Sequence, residues 1–313
     1  MKSVILCYHN IVPDWTPPEV CAARLAVRVS EFGRQLRFFH RHFAFGTLAD
    51  VEARQEGQIL VVTFDDGYGA VIEHALPVLQ SLRVPAYVFV NPAFVGGWNS
   101  RDKLMGLALY GSAAARRATS EFLDTPMQDG TLVRRARHFA ALRTQMWRVM
   151  AARGESAVED IEQLFARHAD PLVLDGLRKS RLLSWEELAR LREQGIQVGN
   201  HTQRHLELDR LPREVVRREI RGASQDLRDH LGTDIPVISY PRGKSNALVR
   251  EETSAAGYRW GLLASPGTLP NERPTLSAPR VVVSPGGGMA NLLWKMSRMR
   301  RWSRGIVKAR IEA

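Results

Sequence analysis

Two adjacent aspartates, Asp65 and Asp66, stand directly after an apolar run and directly before Gly67. The run at 59–64 is predicted to be a buried strand, on which neighbouring side chains normally point to opposite faces. A turn assisted by the glycine can bring both carboxylates into one cavity. Two carboxylates in one cavity cannot both stay ionised without a cation, so the pair predicts a bound metal or a shared proton. The competing interpretation is a helix cap, a turn or a solvated loop.

Two histidines, His201 and His205, follow a second apolar run. Their spacing places both imidazoles on the same side of a helical turn, where they can bind one metal ion. Two neutral imidazoles and one carboxylate make a three-ligand site with positions open for water and substrate, as in catalytic metal sites. Surface helices also carry such pairs by chance. The occurrence of both motifs at predicted strand ends favours the catalytic interpretation.

Seven short apolar runs, separated by stretches of helical periodicity, must position these two motifs. Strands that alternate with helices argue for a parallel sheet, either open or closed into a barrel. A barrel of this kind carries its chemistry at the carboxyl ends of the strands, which is where both motifs lie. The predicted strands are 4–8, 59–64, 86–90, 196–199, 237–240, 261–264 and 281–283.

A stretch at about 97–183 interrupts the alternation, because it contains no convincing strand and is rich in Ala, Arg, Leu and Glu. We predict a helical insertion over one face of the barrel. It ends before Ser184 and Glu187, whose spacing is that of a capping box and predicts the start of a helix. With 313 residues and 44% hydrophobic content, the chain can form one large α/β domain at 1–288.

The tail at 289–313 is strongly basic and carries apolar residues at roughly helical spacing. This pattern, together with a formal net charge of +11, predicts an amphipathic helix that either contacts an anionic membrane or packs on the domain. The sequence has no apolar run long enough to span a membrane and no N-terminal secretory segment. We therefore expect a cytoplasmic protein, which could rest on the inner face of the membrane. No nucleic-acid-binding module is recognisable, so nucleic acid is not an expected partner.

In its two motifs the chain resembles the polysaccharide deacetylases of carbohydrate esterase family 4, which share the NodB homology domain. The Thr-Phe-Asp-Asp-Gly motif is complete at 63–67, and the His-Ser/Thr-x-x-His motif is complete at 201–205. Tyr8 with His9, and Ser184 with Trp185, resemble the branch associated with exopolysaccharides. The resemblance covers roughly 4–283 and implies a deformed (β/α)7 barrel that performs metal-dependent N-deacetylation of an amino sugar.

The resemblance also implies a role for each motif residue. Asp65 would be the catalytic base, while Asp66, His201 and His205 would bind a divalent metal. Zinc is the expected metal, with cobalt, nickel or manganese as alternatives. The metal would lower the pKa of a bound water and polarise the acetamide carbonyl. The implied substrate is an N-acetylated glycan, oligosaccharide or glycolipid intermediate, from which acetate is released.

The chain departs from the family pattern at two positions. Ser239 replaces the arginine that pairs with the catalytic base, and we predict that Arg280 sets the pKa of Asp65 instead. No Leu-x-His motif near the C-terminus supplies a general acid, and His9, at the end of the first predicted strand, is the candidate replacement. The competing interpretations are a surface Arg280 and a His9 that is exposed or satisfied in the core.

The family's third motif corresponds to the stretch at 239–243. The backbone N–H of Arg242 occupies the position of the oxyanion donor, and a change of side chain does not remove that donor. Tyr240, Trp98 and Trp15 are predicted to stack on sugar rings, with Pro241 beside Tyr240 in the substrate site, although such aromatic residues are often partial core. Two other functions remain open, a metal-dependent amidohydrolase acting on a small non-sugar amide and a catalytically silent carbohydrate-binding protein.

Overall fold

A curved parallel sheet surrounded by helices forms the body of the protein. The computed structural model describes residues 3–53, 58–232, 235–269 and 273–296. Within these residues the strands are β1 (Val4–Tyr8), β2 (Asn10–Val12), β3 (Ala26–Arg28), β4 (Ala44–Phe45), β5 (Ile59–Phe64), β6 (Ala86–Val90), β7 (Gln197–Asn200), β8 (Val237–Ser239), β9 (Trp260–Leu262) and β10 (Val281–Val282).

Eight of these strands pair in one parallel sheet with the order β10-β1-β5-β6-β7-β8-β9, in which β4 lies beside the start of β5. The segment that leads into β10 also pairs with β9, at a bridge between Leu262 and Ala278, and so brings the two edges of the sheet together. This architecture confirms the predicted barrel of seven strands. Strands β2 and β3 form a separate pair that was not predicted, because three residues are too few to show a pattern.

The seven predicted strands are all present, with bounds within two residues of those expected. Every side chain of β1, β5 and β6 is buried, as expected for parallel strands that are covered on both faces. In this register Tyr8 pairs with Phe64, so β1 and β5 end at the same level, and Phe64 pairs with Val88, so β6 extends two residues further, to Val90. The residues that follow these strands therefore meet at one end of the barrel.

The helices lie around the sheet and above its carboxyl end. Within the described residues they are α1 (Pro18–Ala23), α2 (Val29–His40), α3 (Leu48–Ala53), α4 (Leu76–Ser81), α5 (Ser100–Tyr110), α6 (Ala113–Leu123), α7 (Leu132–Ala141), α8 (Arg143–Arg153), α9 (Glu155–His168), α10 (Pro171–Leu177), α11 (Trp185–Glu193), α12 (Arg213–Leu231) and α13 (Ala247–Ala255). None of these helices combines the length and the apolar character that crossing a bilayer requires.

Helices α5 to α10 come between β6 and α11 in the chain, at the position of the predicted insertion. They share an apolar cluster of their own, separate from the main barrel core, that includes Leu104, Phe139, Met146 and Ile161. Ser184 then starts α11 with the predicted capping box, in which its Oγ accepts from the Glu187 N–H at 3.3 Å. The insertion is thus a small helical layer attached to the barrel at both ends.

The first part of the basic tail packs on the barrel. Leu292 is buried in the main core, and the Lys295 ammonium donates to the Val282 carbonyl and to Ser284 Oγ, each at 2.8 Å. Up to residue 296 the tail therefore packs on the domain, which is one of the two predicted alternatives. These contacts do not support the other alternative, binding to a membrane. The rest of the predicted amphipathic segment, at 297–313, lies outside the described residues.

Candidate active site

Asp65 and Asp66 lie at the carboxyl end of β5, in a turn that brings both carboxylates to one cavity. The Asp65 N–H continues the ladder by donating to the Tyr8 carbonyl at 2.9 Å. Asp66 then adopts a left-handed conformation with φ of 71°, and Gly67 follows with φ of 72°. A Cβ at Gly67 would lie 2.7 Å from a methyl group of Val90, so this turn requires glycine, as the sequence indicated.

Asp66, His201 and His205 converge on one point of the cavity. The Nε2 atoms of His201 and His205 lie 3.6 and 3.5 Å from Asp66 Oδ1, respectively. Two ligand atoms at about 2.1 Å from a tetrahedral zinc ion are about 3.4 Å apart, so the spacing fits a shared divalent metal. One carboxylate and two imidazoles also make the kind of ligand set that leaves coordination positions open for substrate.

Second contacts orient the two imidazoles. His201 Nδ1 lies 2.7 Å from the Ser239 carbonyl, to which it donates, and this leaves Nε2 as the atom that faces Asp66. Burial opposes protonation of His201, but the carboxylates of Asp65 and Asp66 outweigh it and raise its pKa. Burial lowers the pKa of His205 to about 4, so its neutral, metal-binding form prevails at neutral pH.

The chain between the two histidines is not the helical turn that their spacing predicted. Thr202 and His205 adopt left-handed conformations, with φ of 68° and 58°, and the segment is an irregular loop. The amide of Asn91 donates to the carbonyls of His201 and Thr202, at 2.5 and 3.0 Å. The buried Glu219 carboxylate accepts from the backbone N–H of Arg204 at 2.8 Å. Fixed polar contacts, rather than helix geometry, therefore bring the imidazoles together.

Arg280 is fully buried beside Asp65, so the surface alternative for this arginine is wrong. Its guanidinium forms two parallel hydrogen bonds with the Asp65 carboxylate, each 2.8 Å long. The other three donors reach the Leu263 carbonyl at 2.9 Å, Thr63 Oγ1 at 3.2 Å and Ser239 Oγ at 2.7 Å. All five donors of the guanidinium are therefore satisfied. Ser239 Oγ in turn donates to Asp65 Oδ2 at 3.2 Å.

This pairing determines the ionisation of Asp65. Burial by itself would raise the pKa of Asp65, but the charge of the Arg280 guanidinium outweighs burial and holds the pKa well below its usual range. The carboxylate is consequently ionised at neutral pH. Ser239 joins the same network, because its Oγ contacts both Arg280 and Asp65.

His9 lies at the end of β1 and lines the same cavity. A ring nitrogen of His9, the Cys7 thiol and an Asp65 carboxylate oxygen lie within 4.8 Å of one another. Burial lowers the pKa of His9, although Asp66 and Asp65 partly oppose the shift. The cavity position agrees with the prediction for this histidine, and the adjacent Cys7 was not anticipated.

Arg242 and Gly243 also line the cavity, in the turn that follows β8. Arg242 has a left-handed backbone with φ of 56°, and its side chain pairs with the Glu207 carboxylate. Gly243 has φ of 64°, and a Cβ there would lie 1.8 Å from the Ala264 nitrogen. Close packing against the next strand thus holds this turn, and with it the Arg242 backbone, at the cavity wall.

Three predicted substrate contacts lie away from the cavity. Tyr240 is fully buried beneath the turn, where its hydroxyl donates to the Leu276 carbonyl at 3.2 Å. Pro241 is buried as well. Trp98 packs in the insertion, where its indole N–H donates to the Leu177 carbonyl at 2.9 Å. Their polar atoms are satisfied by the fold, so we do not propose these residues as sugar contacts.

Trp147 of α8 is an aromatic residue at the cavity wall that the sequence pattern did not indicate. Its ring lies 5.5 Å from the His205 ring and 5.1 Å from the Arg242 guanidinium carbon, and it lines the cavity. The cavity has a volume of about 590 Å³ and is bounded on one side by the insertion. Helical periodicity alone indicated ordinary packing for this segment, and only its placement over the barrel shows that Trp147 lines the cavity.

Comparisons with known proteins identify the family and the fold of this chain. A family profile described as polysaccharide deacetylase matches residues 52–261. A Bacillus subtilis protein named as a polysaccharide deacetylase, YxkH, is 28% identical over 104 residues, which span 33% of this chain and 37% of that relative. The chain thus matches well under half of that relative's length.

Two solved structures share the fold over nearly the whole length of both chains. The deacetylase PplD of Streptococcus pyogenes, in complex with acetate, has a TM-score of 0.60 and 17% identity, and the match covers 95% of this chain and 98% of that one. IcaB of Ammonifex degensii has a TM-score of 0.58 and 19% identity, with 94% and 97% covered. At these identities the likeness concerns the fold.

Proposed function

This chain belongs to the polysaccharide deacetylase family, and from that premise we propose that it removes the N-acetyl group of an amino sugar with the help of a divalent metal. One observation carries the proposal. A metal-binding triad, Asp66, His201 and His205, and an unligated carboxylate, Asp65, meet in one cavity, and Asp65 is held ionised by Arg280. Zinc is the proposed metal, with cobalt, nickel or manganese as alternatives.

The chain's own residues divide the proposed reaction between them. The metal, when bound by the triad, supplies a Lewis acid for the acetamide carbonyl and lowers the pKa of a water molecule. Asp65 accepts the proton of the attacking water at a carboxylate oxygen, while Arg280 keeps that carboxylate in position. The Arg242 backbone N–H, in the turn at the cavity wall, is proposed as the donor for the developing oxyanion.

His9 is proposed to protonate the leaving amine. A ring nitrogen of His9 lies within 4.8 Å of an Asp65 carboxylate oxygen, and both residues line the cavity that holds the triad. Because burial lowers its pKa, the protonated form of His9 is a stronger acid than an exposed histidine. In this proposal His9 takes the place of the Leu-x-His histidine that the family resemblance implies.

Acetate release tests the proposed function directly. Purified protein should release acetate from N-acetylated sugars or oligosaccharides, lose this activity after chelation, and regain it when zinc, cobalt, nickel or manganese is added back. Small non-sugar amides belong in the same screen, because the insertion covers one side of the cavity and so favours a compact substrate as the second candidate. Release from such amides alone would replace the sugar assignment with that candidate.

Replacing His205 with alanine should lower metal affinity at least about a hundredfold, because the change removes one of three protein ligands, more than an outer-shell partner whose loss costs 10–100-fold. His138→Ala is the matched control, since His138 does not line the cavity and its Nε2 lies 2.8 Å from the Pro126 carbonyl. Metal content measured after dialysis checks the prediction. Equal metal stoichiometry in both variants would remove His205 from the ligand set.

Replacing Trp147 with alanine should raise KM for the sugar about three- to tenfold, because the ring is proposed to stack on the pyranose bearing the acetamide. Trp147→Phe should recover most of the loss. Trp15→Ala is the control, since Trp15 is exposed and does not line this cavity. Steady-state kinetics that show the same KM for Trp147→Ala and wild type would exclude the stacking role.

A further inference from the structure

Four arginines line the cavity, and the proposed hydrolysis uses none of their side chains. One of them, Arg204, already pairs with Glu155 and Glu219, which leaves three. Arg101 lies on α5, Arg143 is the first residue of α8, and Arg242 follows β8. All three line the cavity that holds the metal triad. Arg101 and Arg143 belong to the insertion, and Arg242 belongs to the barrel. The packing of the insertion on the barrel therefore brings the three arginines to the wall of one cavity.

Arg143 has no acidic partner among the described residues. Burial lowers its pKa, and the charges of Arg101 and Arg242 lower it further, which places the three guanidiniums within electrostatic reach of one another. Like charges held together repel unless an anion lies between them. Arg143 therefore stands in a field that favours a negatively charged ligand.

The other two arginines are only partly neutralised. Arg101 is 5% exposed and pairs through Nη1 with Asp102 at 3.1 Å, but its buried Nε has no hydrogen-bond partner within the described part of the chain. Arg242 pairs with Glu207, and this one carboxylate also serves Lys244 at 3.0 Å and Arg210 at 3.3 Å. Cationic charge thus exceeds acidic charge on this side of the cavity.

A buried guanidinium nitrogen without a partner lowers stability, because its N–H loses its hydrogen bond to water and forms none within the protein. Guanidinium groups bind phosphate through paired hydrogen bonds in a fixed planar geometry. A carboxylate offers two oxygens and is commonly satisfied by one such fork, whereas a phosphate offers three oxygens in different directions. An arrangement of three arginines from three elements suits the phosphate.

We propose that the Arg101, Arg143 and Arg242 side chains form a phosphate subsite, so that the substrate is an N-acetylated amino sugar that carries a phosphate or pyrophosphate group. This inference rests on the proposed deacetylation and names its substrate class. The sugar would lie against Trp147 between the metal triad and the three arginines. Both soluble glycosyl phosphates and lipid-linked glycosyl pyrophosphates share the required chemistry.

Binding measurements separate the subsite from catalysis. Calorimetry on the metal-loaded Asp65→Asn protein, which should not consume the probe, should show N-acetylglucosamine 1-phosphate binding at least about tenfold more tightly than N-acetylglucosamine. Adding Arg143→Gln should remove most of this difference. Adding Arg148→Gln instead should preserve it, because Arg148 lies on the same helix but does not line the cavity.

Turnover by the otherwise unmodified enzyme gives the second test. The ratio of kcat/KM for the phosphorylated sugar to that for the neutral sugar should fall about tenfold in Arg143→Gln and stay constant in Arg148→Gln. A prenyl pyrophosphate-linked N-acetylglucosamine in detergent distinguishes the sources. Preference for it over the soluble phosphate indicates a lipid carrier, and the reverse indicates a soluble substrate.

The outcomes separate this inference from the function on which it rests. Acetate release from neutral and phosphorylated sugars with equal kcat/KM would overturn the subsite and leave the deacetylase intact. Phosphate-dependent binding that needs Arg143, without acetate release from any sugar, would support the subsite and refute the deacetylase. An Arg143-dependent preference for a glucuronate-containing disaccharide over the sugar phosphate would also overturn the phosphate assignment.

Discussion

Asp65→Asn should lower kcat by about 10²- to 10⁴-fold while the protein retains its metal. Asparagine keeps the size of the side chain but cannot accept the proton of the attacking water. The metal should remain, because the triad is built from Asp66, His201 and His205 and does not use Asp65. Acetate release and metal content, measured on the same preparation, check both halves of the prediction.

The adjacent Asp66→Asn variant is the matched control, since the two carboxylates differ by one position and are both buried. It should lose metal as well as activity. Loss of metal from Asp65→Asn with retention in Asp66→Asn would reverse the two assignments. Because Asp65→Asn also weakens the pair with Arg280, circular dichroism at the assay temperature must show that the variant is folded.

Arg280→Met should lower the free energy of unfolding by about 3–5 kcal/mol, because it leaves the Asp65 carboxylate buried without a counter-ion. Thermal or denaturant unfolding at neutral pH measures this loss. Arg137→Met is the control, since Arg137 makes an exposed pair with Glu19 and such pairs contribute about 0–1 kcal/mol. Equal destabilisation by both variants would contradict the counter-ion role.

The same substitution should change the pH dependence of activity. The stability that Asp65 contributes in the wild type is present above about pH 4, the ordinary value for aspartate, and is lost as the pH falls through its lowered pKa. Without Arg280, burial is no longer opposed, so the pKa of Asp65 rises and the carboxylate becomes protonated at a higher pH.

The acidic limb of the pH–activity profile should therefore move to higher pH in Arg280→Met. If Arg280→Met does not fold, Arg280→Lys can be measured in its place, because lysine keeps the positive charge. Its three donors cannot serve the five hydrogen bonds that the guanidinium makes, so we expect a smaller shift and reduced kcat. If the acidic limb of the pH–activity profile does not move in either variant, Arg280 does not control the ionisation of Asp65.

Two positions in the fold, 239 and 280, are close enough to Asp65 to supply its positively charged partner, and in this chain the arginine is at 280. Ser239 ends β8, whereas Arg280 immediately precedes β10, and the bridge between β9 and Ala278 brings the second position next to the first. A small residue on β8 leaves space for the longer side chain to enter from β10. Asp65 thus has a bidentate arginine partner, although not at the position that the family resemblance implies.

Local pattern was sufficient to predict a parallel sheet with both motifs at its carboxyl end, whereas closure into a barrel was implied by the family resemblance. Long apolar runs such as β1 and β5 can be satisfied only as buried strands, and the residues directly after parallel strands must meet at one end of the sheet. The position of Asp65, Asp66 and His201 directly after strand ends was enough to predict that they meet at one end of the sheet, and the separate role of each was implied by the family resemblance. The Gly67 turn is likewise encoded by the residue type.

The surroundings of the triad depend on contacts between segments far apart in the chain. Tyr240 adjoins the oxyanion turn in sequence, yet its side chain is buried with Leu276, while Trp147, from a helix of ordinary composition, faces the metal triad. His205 is positioned by an irregular loop that Asn91 and Glu219 hold, and not by helix geometry. The sequence alone determined the strands and the residues at their ends, because strand burial and alternation are local properties. Only the tertiary structure decided which side chains of the insertion enter the cavity, because that choice depends on how two separately packed layers meet.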